Sequence, residues 1–146
     1  MRYEIIDLQI EDIMWFGIDN NGYIFECTSG GIGNVPEFVC KSREETERLS
    51  LFFLKELTSS TEAKLLCPEA DNQLVKDAKL LASKGIYCFD VTNEKPHDEN
   101  YKKIAEPLKS ININDLPGNI IKILLTHKVD VDLTTSNYID VVHAYA

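Results

Sequence analysis

The amino-acid sequence predicts an α+β fold, with a mixed, mainly antiparallel sheet that includes an N-terminal β-hairpin and carries about three helices packed on it. The chain has 146 residues, which fits a single globular domain over residues 1–146, because a domain spans roughly 100–200 residues. Two strand-like runs near the start flank an Asn-Gly pair, the strongest short-range signal of a hairpin. Three amphipathic helical patterns follow, separated by short apolar runs, so helices and strands are expected to alternate along the rest of the chain.

The hairpin is predicted from residues 12–18 and 23–27, because both runs are rich in aromatic and β-branched side chains. The turn between them ends in Asn21 and Gly22, two residue types that tolerate the positive φ angles of tight hairpin turns. Residues 28–34 contain three glycines, which lose much conformational entropy when they become ordered. A loop is therefore expected after the hairpin.

Three helices are predicted, over residues 43–57, over residues 71–84, and from about residue 115 to residue 127. At the start of the first, Ser42 and Glu45 match a capping box, in which each side chain accepts a hydrogen bond from a free backbone N–H group. The first helix is expected to turn one apolar stripe toward the sheet, because its large apolar side chains recur at helical spacing.

The boundaries of the other two helices follow from single residues. Gly85 stands where the second helix needs a left-handed residue at its C-terminal end. Asp115 is the candidate N-cap of the third helix, and Pro117 falls in its first turn, where a missing N–H group costs nothing. The apolar side chains expected to be buried by this helix are Leu116, Ile120, Ile121, Leu124 and Leu125.

The remaining strands are predicted from apolar runs and from alternation. Residues 86–91 form a nearly continuous apolar run, which is typical of a central strand. Residues 92–100 are the most polar window of the chain, so we expect an exposed loop there. Further strands are expected at residues 63–67, ended by Pro68, at 101–106, ended by Pro107, and in the tail at 129–133 and 138–145.

Composition and charge exclude several classes of function. The chain has 15 Lys and Arg against 24 Asp and Glu, so its net charge of −9 repels the nucleic-acid backbone, and we expect no nucleic-acid partner. No apolar run approaches the roughly 20 residues that cross a bilayer, so no membrane association is expected. The N-terminus lacks the apolar core of a signal peptide, and we therefore expect a cytoplasmic protein with reduced cysteines.

The motifs indicate no metal, no cofactor and no enzymatic activity. The four cysteines, residues 27, 40, 67 and 88, have no zinc-ligand spacing, and the three histidines show no ligand pattern. The glycines of residues 30–33 could expose backbone N–H groups to a phosphate, but the Gly-Lys-Ser/Thr end of a P-loop is missing. A turn that leaves the hairpin is the simpler interpretation of this loop.

The distribution of charge favours a protein-binding surface. Residues 1–40 contain seven carboxylates against Arg2 alone, so this part carries −6 of the total of −9. An acidic hairpin with aromatic anchors suits a basic protein partner, because complementary charge speeds encounter. The opposing interpretation, in which the acids serve solubility and the aromatic residues belong to the core, stays open. The candidate partner-binding residues are Glu11, Asp12, Trp15, Asp19, Glu26, Gly31 and Gly33.

Five stretches of the chain carry a resemblance to known proteins. They are Trp15-Phe16-Gly17-Ile18-Asp19 with Gly22-Tyr23-Ile24-Phe25, Gly31-x-Gly33-x-Val35-Pro36, Tyr101-x-x-Ile104-x-x-Pro107 and Leu116-Pro117. Together they resemble an uncharacterised bacterial family of short proteins that is similar to immunity proteins of contact-dependent or polymorphic toxin systems. The resemblance implies a cytoplasmic, non-enzymatic protein-binding module that occludes a partner toxin domain. It assigns no functional residue, since the shared motifs are structural.

Two alternatives remain open at this point. The first is a small-molecule-binding domain, with a pocket between the helices and the sheet. The pocket would be lined by Phe52, Phe53, Tyr87 and Phe89. The second is self-association, in which the partner is another copy of the chain and the protein is a homo-oligomer. An enzyme is a further, less favoured hypothesis, and it would need several titratable groups that converge within hydrogen-bond reach.

Overall fold

The computed structural model describes residues 1–67 and 72–146, which form one mixed β-sheet with helices on both faces. The strand order is β1-β2-β4-β5-β3, and β6 also pairs with β5. Of the five strand pairings among the described residues, four are antiparallel and one, between β2 and β4, is parallel. The strands are β1 Met14–Ile18, β2 Ile24–Thr28, β3 Ala63–Leu65, β4 Tyr87–Val91, β5 Tyr101–Pro107 and β6 Tyr138–Ile139.

Five α-helices accompany the sheet in the described part of the chain. They are α1 Ile5–Ile10, α2 Glu37–Cys40, α3 Arg43–Leu51, α4 Gln73–Ala82 and α5 Gly118–Leu124. The α+β class is confirmed, but the predicted number of about three helices was too low. The additional helices, α1 and α2, have only six and four residues, too few to show a helical period in the sequence. The hairpin is consequently not the first element of the fold, because α1 precedes it.

β1 and β2 form an antiparallel hairpin, with Trp15 opposite Cys27, although its strands begin one or two residues later than the runs predicted from residues 12 and 23. Gly22 has a φ of +82°, as the turn requires. Asp19 holds this turn together, because its Oδ1 accepts hydrogen bonds from the backbone N–H groups of Asn21 and Tyr23, at 2.8 and 2.9 Å. The turn is therefore stabilised by a carboxylate as well as by its glycine.

The helices near the middle of the chain begin and end largely as expected. Ser42 accepts a hydrogen bond from the N–H of Glu45, which confirms the predicted start of α3. This helix ends at Leu51 and continues as a π-helical turn over Phe52–Glu56. Gly85 has a φ of +95° after α4, as predicted. The predicted start of that helix at residue 71 and the predicted strand end at residue 68 lie outside the described residues.

The start of the third predicted helix needs a correction. Asp115 does not cap α5; its Oδ2 accepts a hydrogen bond from the N–H of Asn112 and closes a separate 3₁₀ turn, Ile113–Asp115. The chain then extends through Pro117, so α5 begins one residue later, and Leu125 lies on the surface at its end. Because the side chain of Asp115 is used in the preceding turn, the capping pattern in the sequence predicted the wrong element.

The tail forms less strand than its alternating pattern predicted. Residues 129–133 run beside β1 but form no continuous ladder with it. The N–H of Val129 donates to the carbonyl of Ile18, and the N–H of Leu133 donates to Asp19 Oδ2. The predicted strand over residues 138–145 is reduced to Tyr138–Ile139. Alternation of apolar and polar residues shows that one side of a segment is buried, but not that the segment has a partner strand. The apolar residues of 129–133 pack on the second core with no partner strand among the described residues.

Two hydrophobic cores lie on opposite faces of the sheet, because successive strand side chains point to opposite sides. The first core packs under α3, α4 and α5 and contains Phe16, Phe53 and Leu81. The second packs under α1, α2 and the C-terminal segment and contains Trp15 and Phe89. All five residues of β2 are buried, since both faces of this strand are covered.

The close packing around Gly17 predicts a loss of stability in the Gly17→Ala variant. An added Cβ at this position of β1 would lie 2.6 Å from both the carbonyl oxygen of His127 and Cζ of Phe25. Overpacking of this kind costs about 1–3 kcal/mol of unfolding free energy, which urea denaturation followed by circular dichroism will measure.

The matched control is Gly118→Ala in the first turn of α5. No atom of the described residues lies within 4 Å of its added Cβ. We expect the unfolding free energy to change by less than about 0.5 kcal/mol, as for most exposed positions. Equal denaturation midpoints for the two variants would contradict the packing argument.

Candidate functional site: an isoleucine surface beside the glycine loop

Four isoleucine side chains are exposed together where α1 meets the loop that follows β2. Ile5, Ile6, Ile10 and Ile32 are 50%, 59%, 72% and 64% exposed, whereas most large apolar side chains of the described residues fill the two cores. We call these four residues the isoleucine surface. An exposed apolar patch with a polar border is typical of a surface that binds another macromolecule.

The sequence of α1 explains why three isoleucines of this surface share one side of the helix. Ile6 and Ile10 are four residues apart, so they lie on the same face, and Ile5 lies next to them. Leu8 points the other way, into the second core. The helix is held in place from below, because the N–H of Tyr3 donates to the carbonyl of Cys40 at 2.9 Å. The isoleucines are therefore presented by an anchored helix.

The glycine loop, residues 28–34, brings the fourth isoleucine against α1. Gly31 has a φ of +80° and packs on α1 so closely that an added Cβ would lie 3.1 Å from the carbonyl oxygen of Gln9. The same contact places Ile32 beside Ile5 and Gln9, and these three side chains border a groove of about 270 Å³. The glycines thus serve the close approach of loop and helix.

Carboxylates border the isoleucine surface. Glu4 and Asp12 flank α1 and are exposed, and Glu99 lies at the edge of the groove. Asp12 also fixes the glycine loop, since its Oδ1 accepts a hydrogen bond from the N–H of Gly30 at 2.8 Å. Between residues 3 and 40 the sequence contains no lysine or arginine. The charge at the border of this surface is consequently negative.

Among the predicted partner-binding residues, Asp12, Gly31, Gly33 and Glu11 belong to this region. Asp12 is exposed and Gly31 half-buried, whereas Gly33 is buried, with the position of its missing Cβ 2.7 Å from the hydroxyl of Tyr101. Glu11 is paired with Arg43, at 2.8 and 2.9 Å, and this ion pair lowers the pKa of the Glu11 carboxyl. Its charge is neutralised by the protein itself.

The other three predicted residues lie inside the fold. Trp15 is fully buried, and its indole N–H donates to the hydroxyl of Tyr101 at 3.2 Å. Asp19 is used by the hairpin turn, and Glu26 is buried under the helices of the first core. The seven candidates therefore do not form one acidic face, because a count of charges does not reveal which carboxylates cap turns or enter the core.

Sequence patterns alone do not predict the isoleucine surface. Three isoleucines lie within residues 5–10, but Asp7 and Gln9 interrupt them, so they form no long apolar run. A helix of six residues is too short for its apolar spacing to show which side is buried. Ile32 was hidden by its glycine neighbours, which predict a loop and say nothing about the helix against which the loop packs.

The four residues proposed for a small-molecule pocket do not line a common cavity. Phe52 and Phe53 belong to the first core, and Tyr87 and Phe89 belong to the second core on the opposite face of the sheet. Phe53 stacks on Phe16 with a centroid distance of 4.7 Å. These aromatic rings are packing residues, and apolar periodicity alone did not reveal on which face of the sheet each would lie.

Glu26 has the most strongly perturbed environment of the acidic residues discussed. Its side chain is only 2% exposed, Oε1 accepts a hydrogen bond from the hydroxyl of Thr28 at 2.8 Å, and Oε2 has no partner among the described residues. Burial, reinforced by the charges of Asp90 and Asp77, raises the pKa of the Glu26 carboxyl to about 8. This carboxyl therefore carries a proton at neutral pH.

His127 is the other buried titratable group without a full set of partners. Its Nδ1 lies 2.8 Å from the carbonyl oxygen of Phe16, and Nε2 is without a partner in the described part of the chain. Burial lowers the pKa of His127, so the imidazole is neutral and donates from Nδ1 to that carbonyl. The ring joins the end of α5 to β1, a structural role.

Neither metal binding nor a membrane span has a candidate among the described residues. No group of three or more His, Cys, Asp or Glu side chains in residues 1–67 and 72–146 is placed to hold a metal ion. None of the helices in the same ranges is long and apolar enough to cross a bilayer. Compared with known proteins, the chain matches no protein-family model, no curated protein and no solved structure.

The buried carboxyl of Glu26 predicts that stability falls as pH rises. An unfolded glutamate has a pKa near 4.5, so the folded protein holds this proton more tightly. The resulting stabilisation is complete below about pH 4.5 and is lost progressively as pH rises through 8, by roughly 5 kcal/mol in total relative to Glu26→Gln. Urea denaturation of the wild type and of Glu26→Gln at a series of pH values will measure how steeply the unfolding free energy of each protein falls with pH.

The comparison between variants isolates Glu26 from the other titrating groups. The exposed residue Glu47 supplies the control, and Glu47→Gln should change the unfolding free energy by less than about 0.5 kcal/mol, as for most exposed positions. If the unfolding free energies of Glu26→Gln and the wild type differ by the same amount at every pH from 5 to 8, the Glu26 carboxyl does not titrate as its burial requires.

Proposed function

We propose that this protein is a non-enzymatic protein-binding module of immunity type, which uses the isoleucine surface to cover and so occlude a basic partner, a toxin domain. The observation that carries the proposal is the exposure of four isoleucines on an anchored helix and an adjoining ordered loop. Leaving four such side chains in water forgoes burial that would stabilise the fold. A binding partner that covers them supplies that burial.

The chemistry of the partner follows from the surface and its border. The isoleucines suit an apolar or aromatic cluster, which forms the centre of most protein interfaces. The carboxylates of Glu4, Asp12 and Glu99 suit lysine and arginine side chains around that cluster. The net charge of −9 extends this preference to the whole molecule, because it attracts a basic partner over a distance.

The groove beside Ile32 favours a protein partner over a catalytic role. At about 270 Å³ it is small for a ligand pocket, since such pockets usually occupy roughly 300–1,000 Å³. The histidine at its edge, His143, is already used in the fold, because its Nδ1 accepts a hydrogen bond from the N–H of Val35 at 2.9 Å. The groove is best explained as a recess that receives one side chain of the partner.

Replacing two isoleucines by serine tests the proposed surface. The double variant Ile6→Ser/Ile10→Ser removes the largest exposed apolar area of α1, which is worth about 2 kcal/mol or more of binding energy, or a loss of at least about 30-fold in affinity. The partner is captured with tagged wild-type protein from the cells that encode it and identified by mass spectrometry. Affinity is then measured by calorimetry with the purified proteins.

The control variant is Leu125→Ser, which removes an exposed leucine at the end of α5. It should bind the partner as the wild type does. Immunity function adds a second measurement: expression of the partner should arrest growth, and co-expression of the wild type, but not of the isoleucine variant, should restore it. A partner that binds both variants equally, or one that is acidic or harmless, contradicts the proposal.

Charge reversal at the border predicts a change in association rate. Glu99→Lys should slow association with the basic partner at least about threefold at low salt and reduce the dependence of the rate on ionic strength. The control is Glu62→Lys, directly before β3, because it changes the net charge by the same amount at a different part of the surface. The association rates of the two variants are compared by stopped-flow or surface plasmon resonance at 50 and 500 mM salt, where the Debye length is roughly 14 and 4 Å. Equal slowing by both variants would show that only net charge matters.

A further inference from the structure

A second surface, unrelated to the isoleucines, lies at the edge of the sheet formed by β3. This strand pairs with β5 on one side, in the register Ala63 opposite Pro107 and Leu65 opposite Ala105. Its other side has no partner strand among the described residues, and α4 packs over the face of the sheet beside this edge, where α4, Ala63 and the two residues before it border an open groove of about 600 Å³. We call this space the edge groove.

The hydrogen-bond register shows which backbone groups of β3 face the groove. The carbonyl of Glu62 accepts from the N–H of Leu108, and the N–H of Leu66 donates to the carbonyl of Ile104, both at 2.8 Å. Because bonded residues alternate along an antiparallel ladder, the N–H and C=O groups of Ala63 and Leu65 point away from β5. No group of residues 1–67 or 72–146 forms a hydrogen bond with them.

Unpaired groups of this kind form a template for one more strand. An extended segment beside β3 can accept two hydrogen bonds from the N–H groups of Ala63 and Leu65 and donate two to their carbonyls. The side chains of Ala63 and Leu65 pack toward the first core, on the face that α4 covers. Alternate side chains of the added strand would therefore meet α4.

The face of α4 that meets the added strand is basic and apolar. Four residues of α4 and its C-terminal end line the edge groove at helical spacing, together with Thr61: they are Lys76, Lys79, Leu80 and Ser83. Neither lysine forms an ion pair with the rest of the described chain. The lining also contains the exposed carboxylate of Glu62, which leaves a formal charge of +1 from two lysines, whereas Lys64 points to the opposite face of the sheet from Ala63 and Leu65. In a chain of net charge −9, this is a local concentration of unpaired positive charge.

We infer that the edge groove binds an extended, acidic segment of another protein, which adds to β3 as an outer strand and places carboxylates on Lys76 and Lys79. Main-chain hydrogen bonds to Ala63 and Leu65 hold the segment, and the two lysines select its charge. A second copy of this chain is a poor occupant, because pairing β3 with itself would bring Lys64, Lys76 and Lys79 of both copies together. The inference does not depend on the isoleucine surface.

The test uses three synthetic peptides of seven residues with blocked ends. The first has the sequence Thr-Val-Glu-Val-Asp-Val-Thr, the second has lysine in place of both acidic residues, and the third is the first with alternate backbone nitrogens methylated. Binding to isotope-labelled full-length protein is followed by NMR. We expect saturable binding of the acidic peptide, with shifts at Ala63, Leu65, Lys76 and Lys79 and slower hydrogen exchange of the Ala63 and Leu65 amides.

Two comparisons decide between strand addition and simple charge attraction. The lysine peptide should bind at least 10-fold more weakly, and so should the peptide methylated on the face that donates to β3, which keeps the charges but loses hydrogen bonds. The protein variant Lys76→Glu/Lys79→Glu should lose at least 10-fold in affinity for the acidic peptide. Lys122→Glu, an exposed lysine of α5, should change affinity by less than twofold.

Other results would overturn the inference. These are no saturable binding, equal binding of the acidic and lysine peptides, equal binding of the acidic peptide and its methylated form, or shifts at residues remote from β3 and α4. Sedimentation that shows a dimer dissociated by Ala63→Pro would assign the edge to self-association instead. The variant Ile6→Ser/Ile10→Ser should bind the peptide normally, so failure of the proposed function and failure of this inference remain distinguishable.

Discussion

The covering of both faces of the central strands is the constraint on which the rest of the molecule depends. β2 pairs with β1 and in parallel with β4, and helices or tail segments lie over both sides of this pair. Every residue of β2 is therefore internal, whether it is apolar, like Phe25, or ionisable, like Glu26. Because parallel strands need such covering, this architecture removes the centre of the sheet from any contact with a partner. Surfaces for recognition are left at the margins, where α1, the glycine loop and β3 lie.

The same constraint explains how the acidic residues divide between structure and recognition. Asp19 closes the hairpin turn and also accepts the N–H of Leu133, so it joins β1 to the tail. Glu11 forms an ion pair with Arg43, and burial raises the pKa of the Glu26 carboxyl so that it stays protonated. The negative charge that remains exposed near α1 is smaller than the sequence total suggests, but it surrounds apolar side chains. That combination is the basis of the proposed binding of a protein partner.

Local signals allowed much of the fold to be predicted. Gly22, Ser42 and Gly85 each determine the backbone of their own immediate neighbourhood, and the structure follows all three, whereas Asn21 does not adopt the positive φ expected at the turn. Predictions failed where the outcome depends on distant contacts. The alternation of residues 129–133 records burial against the second core without a partner strand. The candidate site was missed for the same reason, because Gly31 and Gln9 must meet before Ile32 joins the isoleucines of α1.

The two marginal surfaces differ in charge and also in shape, and this difference limits self-association. Opposite charges would draw the acidic border of the isoleucine surface toward the lysines of the edge groove, and such head-to-tail contacts can grow without closing. The groove, however, requires an extended segment to satisfy Ala63 and Leu65, whereas the isoleucines are presented mainly by a helix. A helix has its backbone groups bonded internally and cannot add to a strand edge. The two surfaces therefore suit different partners, or two separate segments of one partner, whose joint binding would gain from a raised effective concentration.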